Sequence, residues 1–350
     1  MKAYRLLFLG LLVCNCHKKE EVVFSDEVLN NANNVFCSSK LIKEDIDCVY
    51  PAKIASIDSF FIIQDLGSQE CVKLYNSVGE YLSPFIQKGV APNDVANLTS
   101  PFVVDKTTNI VSVYSQPFIY DFDFNLFIKG NESYCTKENC SKLLRFPIRN
   151  VRRIDESFLL EGFTEKFRFG VRTTRYDSLI ISNEYPTIKS NANMEEIAAV
   201  YSYANKIALS PNGKSWVQSS YIGGMLSLFK LDNNSINNYS NVFLYPPIYE
   251  GKNSDITWGN ETIIGFDDII ATDHYIYALL NGNRGAELKK ESPDLPFGNR
   301  ILIFDWAGNL IKCITTDCMM MAIDINEVDN MIYTVTYNGE NGYEIRSIAI

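Results

Sequence analysis

Short apolar runs rich in Ile, Val, Phe and Tyr recur along the chain, separated by clusters of Asn, Asp, Gly and Ser, and helical spacing of apolar residues is almost absent. The pattern predicts an all-β chain. In such a chain an internal period decides the fold. One unit, an apolar residue often followed by Asp, then a short turn and a strand, recurs roughly every 50 residues. Its copies are Ile57-Asp58-Ser59 before Phe60 to Ile63, Val104-Asp105 before Ile110 to Tyr114, and Ile154-Asp155-Glu156 before Ser157 to Leu160. It returns as Ile207 to Gly213 before Ser215-Trp216-Val217, as Ile270 to His274 before Tyr275-Ile276-Tyr277, and as Ile323-Asp324-Ile325 before Met331 to Val335.

A second unit is a strand ending in an aromatic, a tight turn and a returning strand. It appears over Leu74 to Leu82, Ile119 to Phe127 and Ile303 to Ile311, with Gly or Asn at the turn to supply positive φ. Each repeat is therefore a meander of about four strands. Such a sheet cannot bury both faces alone and packs against its neighbours around an axis, so six repeats predict an all-β, six-bladed β-propeller of four-stranded antiparallel blades. The stretch Val35 to Tyr50 is the right size for an N-terminal strand that completes the last blade and closes the ring. No linker rich in Pro, Gly or Ser divides the chain, so residues 35–350 read as one propeller domain; a two-domain β-sandwich is the competing arrangement.

The N-terminus adds an address. Lys2 and Arg5 precede the apolar run Leu6 to Cys14, and the chain then turns abruptly to His17-Lys18-Lys19-Glu20-Glu21. The layout is that of a secretory signal, and the run is shorter than the roughly 20 residues a membrane-spanning helix needs. Leu12-Val13-Cys14-Asn15-Cys16 resembles the lipobox of bacterial lipoproteins, with Asn15 where that motif prefers a small residue. The resemblance implies a signal peptide over residues 1–16, lipid on Cys16 in preference to Cys14, a tether over 17–34, and anchoring to the outer membrane on its periplasmic or surface side. The charged tract after Cys16 resembles those that route some Bacteroidetes lipoproteins to the cell surface.

Composition narrows the partners. The apolar fraction of 46% allows a large core, and a formal charge of −10 disfavours nucleic acid, whose phosphates need a basic surface. In an oxidising compartment the Cys-x4-Cys pairs Cys135/Cys140 and Cys313/Cys318 read as local disulfides rather than zinc ligands. With Cys37, Cys48 and Cys71 the count beyond the signal is odd, leaving one thiol over.

The segment Val72 to Ser115, VKLYNSVGEYLSPFIQKGVAPNDVANLTSPFVVDKTTNIVSVYS, resembles the six-bladed TolB-like β-propeller lipoproteins of Bacteroidetes. In them a blade ends in an apolar hairpin and a Gly-x-Gly-Pro-x-Glu-like loop; here the loop is Gly89-Val90-Ala91-Pro92-Asn93-Asp94, with Ala91 for the second glycine and Asp94 for the acid. The resemblance implies a fold and a location, and no reaction.

Candidate chemistry is sparse. A triad hydrolase needs a histidine base, and beyond His17 only His274 is present, in the turn Asp273-His274-Tyr275, with no Gly-x-Ser-x-Gly elbow. Glycosidases need two carboxylates about 5 to 9.5 Å apart, and Asp121, Asp123, Asp267 and Asp268 are acids near turns. Asp121-Phe122-Asp123-Phe124-Asn125 alternates oxygen ligands as a calcium loop does, but fits a strand with alternate residues facing water. The insertion Leu231 to Asp268 gathers Tyr239, Tyr245, Tyr249 and Trp258 among asparagines, a composition suited to stacking on sugars or peptides and equally to wedging blades. Arg284 lies in a second long polar loop, Asn281 to Arg300, with Lys289-Lys290. The expectation is a lipid-anchored, non-enzymatic binding or interaction module for a glycan, a peptide or an outer-membrane partner protein, with no cofactor or metal and with Tyr245, Tyr249, Trp258 and Arg284 as ligand contacts. The alternative is a carbohydrate-active enzyme, a glycoside hydrolase or lyase, using carboxylates of the central channel.

Overall fold

A computed structural model describes residues 20–350 apart from 24–28, 30–31, 99, 143–146, 155–156, 174–177, 187–194, 196, 199–200, 202–204, 233–234, 246–260, 289–296 and 340–341. The first blade is β4 (Pro51–Ile57), β5 (Phe60–Asp65), β6 (Val72–Asn76) and β7 (Tyr81–Ile86). The second is β8 (Val103–Asp105), β9 (Ile110–Ser115), β10 (Phe118–Asp123) and β11 (Cys135–Asn139). The third is β12 (Ile148–Ile154), β13 (Ser157–Thr164), β14 (Phe167–Thr173) and β15 (Leu179–Ser182). The fourth is β16 (Lys206–Leu209), β17 (Ser215–Ser219), β18 (Met225–Asp232) and β19 (Ser235–Phe243). An eight-stranded sheet follows: β20 (Phe266–Ala271), β21 (Tyr275–Leu280), β22 (Gly298–Asp305), β23 (Leu310–Asn326), β24 (Met331–Tyr337), β25 (Tyr343–Ala349) and, at its edge, β3 (Ser39–Ile46), with β2 (Asn34–Cys37) paired to β23. The chain is an all-β propeller of four-stranded antiparallel blades.

Among the described residues, the copies of the first predicted unit lie at the turns between an innermost strand and the next. Asp58, Asn109, Gly213 and Asn330 take φ of 51°, 57°, 66° and 52° in those turns, the left-handed region that Asn, Asp and Gly tolerate. The second unit holds at β6–β7 and β22–β23, but not over Ile119 to Phe127. There β10 stops at Asp123, whose carboxylate accepts from the Leu126 amide at 3.0 Å and caps helix α1 (Phe124–Ile128). Phe124 is buried, as the alternating pattern also expects, but from the first turn of a helix.

Burial is shared between successive sheets. Leu74 and Phe85 of the first meet Val111 and Phe122 of the second; Tyr114 and Ile119 meet Phe158 and Leu160 of the third; Phe169 and Val171 meet Trp216 and Phe229 of the fourth. Val217 and Leu228 then meet Ile276 and Phe304 of the eight-stranded sheet, whose far half returns Val335 and Ile345 to Ile54 and Ile63 of the first blade. Within that large sheet, Ile301 and Ile303 pack against Ile323, Ile332 and Ile348, so it folds on itself along the 17 residues of β23.

The N-terminal segment ties the ends. β3 pairs antiparallel with the C-terminal β25, from Ile348 opposite Ser39 to Tyr343 opposite Ile46, as the position of Val35 to Tyr50 predicts. Within the span expected as a tether, β1 (Glu20–Val23) pairs parallel with β19, and Leu29 is buried against the fourth blade. An outer strand exposes a row of unpaired N–H and C=O groups, and β1 satisfies them.

The cysteines correct the sequence reading. Cys37, Cys48, Cys71, Cys135, Cys140, Cys313 and Cys318 are all free thiols. Cys313 and Cys318 lie along one continuous strand, β23, and Cys135 and Cys140 stand at the two ends of β11. Five residues of extended chain span about 16 Å, well beyond the roughly 4.4 to 6.8 Å between the Cα atoms of a disulfide. The spacing that reads as a pair of loop cysteines belongs to strands.

Trp216 is the largest fully buried side chain among the described residues, stacked on Phe229 with centroids 5.5 Å apart and edge-on to Phe169 at 5.7 Å. Trp216→Ala opens a cavity between the third and fourth blades and is expected to cost about 3–5 kcal/mol in denaturant unfolding. A loss under about 1 kcal/mol would show that the wedge is not what holds these blades together.

Candidate functional site

The strands that open the first, fourth and eight-stranded sheets are innermost, together with β23 of the latter: β16 lies against β20, β20 against β23, and β23 against β4. Charged side chains on these strands meet around the axis. Lys53 of β4 donates to both oxygens of Asp268 on β20, at 3.2 and 3.0 Å, and the Ile323 amide of β23 donates to Asp268 at 3.0 Å. Asp324 of β23 accepts from the Ser56 amide at 2.8 Å, the Ser56 hydroxyl at 2.6 Å and the Lys106 ammonium at 2.7 Å. The Lys53–Asp268 pair therefore joins two inner strands with β23 between them, a reach available near the axis, and Lys106 reaches Asp324 from the turn that follows β8. Removed from water, these carboxylates are held by a cation and by backbone N–H together, the combination that offsets the cost of burial.

Opposite them the cations are less committed. Arg152 on β12 is 7% exposed, and its Nε has no acceptor among the described residues. Burial lowers its affinity for a proton, and Glu161 on β13 and Arg149 are its charged neighbours. Arg149 Nη1 donates to Asn205 Oδ1 at 3.0 Å, which leaves the Asn205 amide nitrogen, also buried, without an acceptor among the described residues. The next residue, Lys206, opens β16 within Coulombic reach of Asp268, Lys53, Asp267 and Arg152. Burial lowers its proton affinity too, against the pull of the two acids.

Asp267 sits beside Asp268 on β20. Its oxygens accept from Asn281 Nδ2 at 3.1 and 2.9 Å and from the Gly298 amide at 3.2 Å. Burial nevertheless pushes its carboxyl up to about 7, helped by the charge of Asp268 and opposed by those hydrogen bonds and by Lys206. Elsewhere a cleft of about 230 Å³ opens beside the ring closure, lined by Lys40, Ser56, Asp58, Phe60, Tyr333 and Ser347.

The residues singled out from sequence are scattered. Cys14, Cys16, Tyr249, Trp258, Lys289 and Lys290 lie outside the described residues. Tyr245 is half-buried against the fourth-blade core, and Arg284 is exposed and paired with Glu261 at 3.0 Å, so these two do not meet at the axis. Tyr239 is fixed between blades, its hydroxyl donating to the Trp306 carbonyl at 2.7 Å. His274 is exposed in a turn held by Thr272. Asp121 accepts from Arg153 at 2.9 Å and from Ser112 and, like the capping Asp123, serves local structure. Of the acids named, only Asp267 and Asp268 reach the axis. The residues that surround it, Lys53, Arg149, Arg152, Asn205 and Lys206, escape the sequence reading; the one available signal is that each lies a few residues before a recurring turn.

The loop that carries the family resemblance is built around its acid. Asp94 accepts from the Ala91 amide at 3.0 Å, and its carboxylate stands 2.1 Å from where a Cβ on Gly89 would lie, so only glycine fits there without displacing it. The family model of TolB-like 6-blade propeller-like proteins matches residues 24–328. The chain belongs to that family. No curated protein matches the sequence. Among solved structures, this TolB-like propeller is similar to a Bacteroides fragilis protein named as exported, at 12% identity over 95% of this chain and 99% of that one, with a TM-score of 0.54. It is similar also to a DUF4221 family member from Bacteroides vulgatus, at 9% identity over 89% and 95% of the two chains, with a TM-score of 0.51. Identities this low carry the fold alone.

The raised Asp267 gives a pH test. Its carboxyl moves from 3.8 to about 7 on folding, so between those values the folded chain holds a proton that the unfolded chain has released. Its stabilising contribution is complete below the lower value and is lost as pH rises through the upper one. Relative to Asp267→Asn, the wild type should lose stability between pH 5 and pH 8 in urea unfolding. A difference between the two that is the same at both pH values would contradict the shift.

Proposed function

We propose that this propeller is a lipid-anchored binding module of the cell envelope that takes its ligand or partner at the axial cluster and performs no catalysis. The observation that carries the reading is the asymmetry of the axis. Asp268 and Asp324 are tied to cations and backbone amides, whereas Arg152 and Asn205 offer buried donors without acceptors among the described residues. A site of that kind receives a ligand. The eight-stranded sheet counts in this proposal as blades five and six sharing β23, which gives six blades in a single domain over residues 35–350. Its internal core and the family's six-blade description both support that count.

The address is proposed from the N-terminal sequence: export, cleavage before Cys16, acylation of that cysteine, and residence on the periplasmic or surface side of the outer membrane, with no nucleic-acid partner. A similar fold in a protein named as exported supports it. The rival, a glycoside hydrolase or lyase, is favoured by one observation, the elevation of Asp267 to about 7 beside Asp268 at the axis. Its two carboxylates are already engaged by Asn281, Gly298 and Lys53, which speaks for binding.

Incorporation of labelled palmitate into the full-length chain in a Gram-negative host tests the anchor. Label should vanish in Cys16→Ala and persist in Cys14→Ala; a fully labelled, membrane-bound Cys16→Ala protein would refute the assignment. Reducing-end release from a panel of polysaccharides tests the rival. Release abolished by Asp267→Asn would replace the binding module with an enzyme.

A further inference from the structure

We propose that Arg152, Lys206 and Asn205, braced by Arg149, form a site for an oxyanion, the carboxylate or phosphate group of a small ligand, and this rests on the binding-module reading above. Arg152 and Asn205 are 7% and 9% exposed, on neighbouring blades, and each keeps a donor nitrogen without an acceptor among the described residues. A buried donor left unsatisfied is destabilising. Two of them beside a lysine form a group that lacks only acceptors. Arg149 sets the polarity of this group: by donating to Asn205 Oδ1 it occupies the acceptor end of the amide and leaves the buried NH2 end as the donor without an acceptor among the described residues. The β-bulge between Ile148 and Asn150 removes the alternation that would send residues 149 and 152 to opposite faces of β12.

The donor set selects the chemistry. A guanidinium offers a planar fork that matches the two oxygens of a carboxylate or phosphate, and an ammonium adds a point charge. The acids facing the cluster are Glu161, near Arg152, and Asp267 and Asp268, near Lys206. Asp268 is neutralised by Lys53 at 3.0 Å, and Asp267 is held away by Asn281 and Gly298. Their presence limits the net positive field, so the site suits one oxyanion group and not a polyanion.

The test uses the detergent-solubilised full chain in phosphate-free buffer, titrated calorimetrically with sodium glucuronate and with inorganic phosphate, and with glucose as the neutral control. At least one of the two anions should bind with a submillimolar dissociation constant while glucose does not. Lys206→Met and Arg152→Gln should each weaken that binding at least tenfold. Where Arg152→Gln fails to fold, Lys206→Met, at a partly exposed position, carries the test. Failure of both anions to bind, or binding unchanged in Lys206→Met, overturns the oxyanion site. Binding of glucose with neither anion also overturns it and leaves the wider binding-module reading standing.

Discussion

The structure turns on how charged groups are kept at the centre of a propeller. A carboxylate withdrawn from water is expensive to bury unless a cation and hydrogen-bond donors reach it. Asp268 and Asp324 meet that demand by drawing Lys53 and Lys106 across an intervening inner strand, and the amides of Ile323 and Ser56 from the strands that lie between. Satisfying two acids thus fixes inner strands from the first, second and eight-stranded sheets in one arrangement. The radial sheets and their apolar interfaces then fill the space outward from it.

That apolar packing is regular where the axial packing is not. Each sheet presents one face to the sheet before and the other to the sheet after, and the aromatic stack of Trp216, Phe229 and Phe169 shows the scale of what is buried between two of them. Closure needs the chain ends to cooperate: β3 supplies the last antiparallel partner for β25, and β1 covers the outer edge of the fourth blade. The N-terminal residues are consequently part of the fold, and any membrane anchor ahead of them would attach to a segment already docked on the propeller.

Much of this was legible in the sequence because turn chemistry is local. Asp58, Asn109, Gly213 and Asn330 mark hairpins whatever surrounds them, and the described copies of that unit fall on inner hairpins. Asp123 misled because an acid after an aromatic strand fits an alternating strand as well as a helix cap, and only the amide of Leu126 decides between them. Cys313 and Cys318 read as a local disulfide pair, yet the residues between them are the middle of β23, where one strand passes from one half of the sheet to the other. The axial cluster was the least legible part. Lys53, Arg152, Lys206 and Asp268 lie on different strands far apart in sequence, and a lone charge near the start of a strand has no local sign that it faces an axis.

Charges on non-adjacent inner strands are coupled across the axis, and the rest of the arrangement depends on that coupling. A double-mutant cycle on Lys53→Met and Asp268→Asn, read by urea unfolding, measures that coupling directly. Asp268→Asn alone should cost about 3 kcal/mol by leaving Lys53 buried without its partner, and the coupling energy should be at least about 1 kcal/mol. Additive effects, with coupling near zero, would mean that the two sheets are held by their apolar faces alone and would contradict the account.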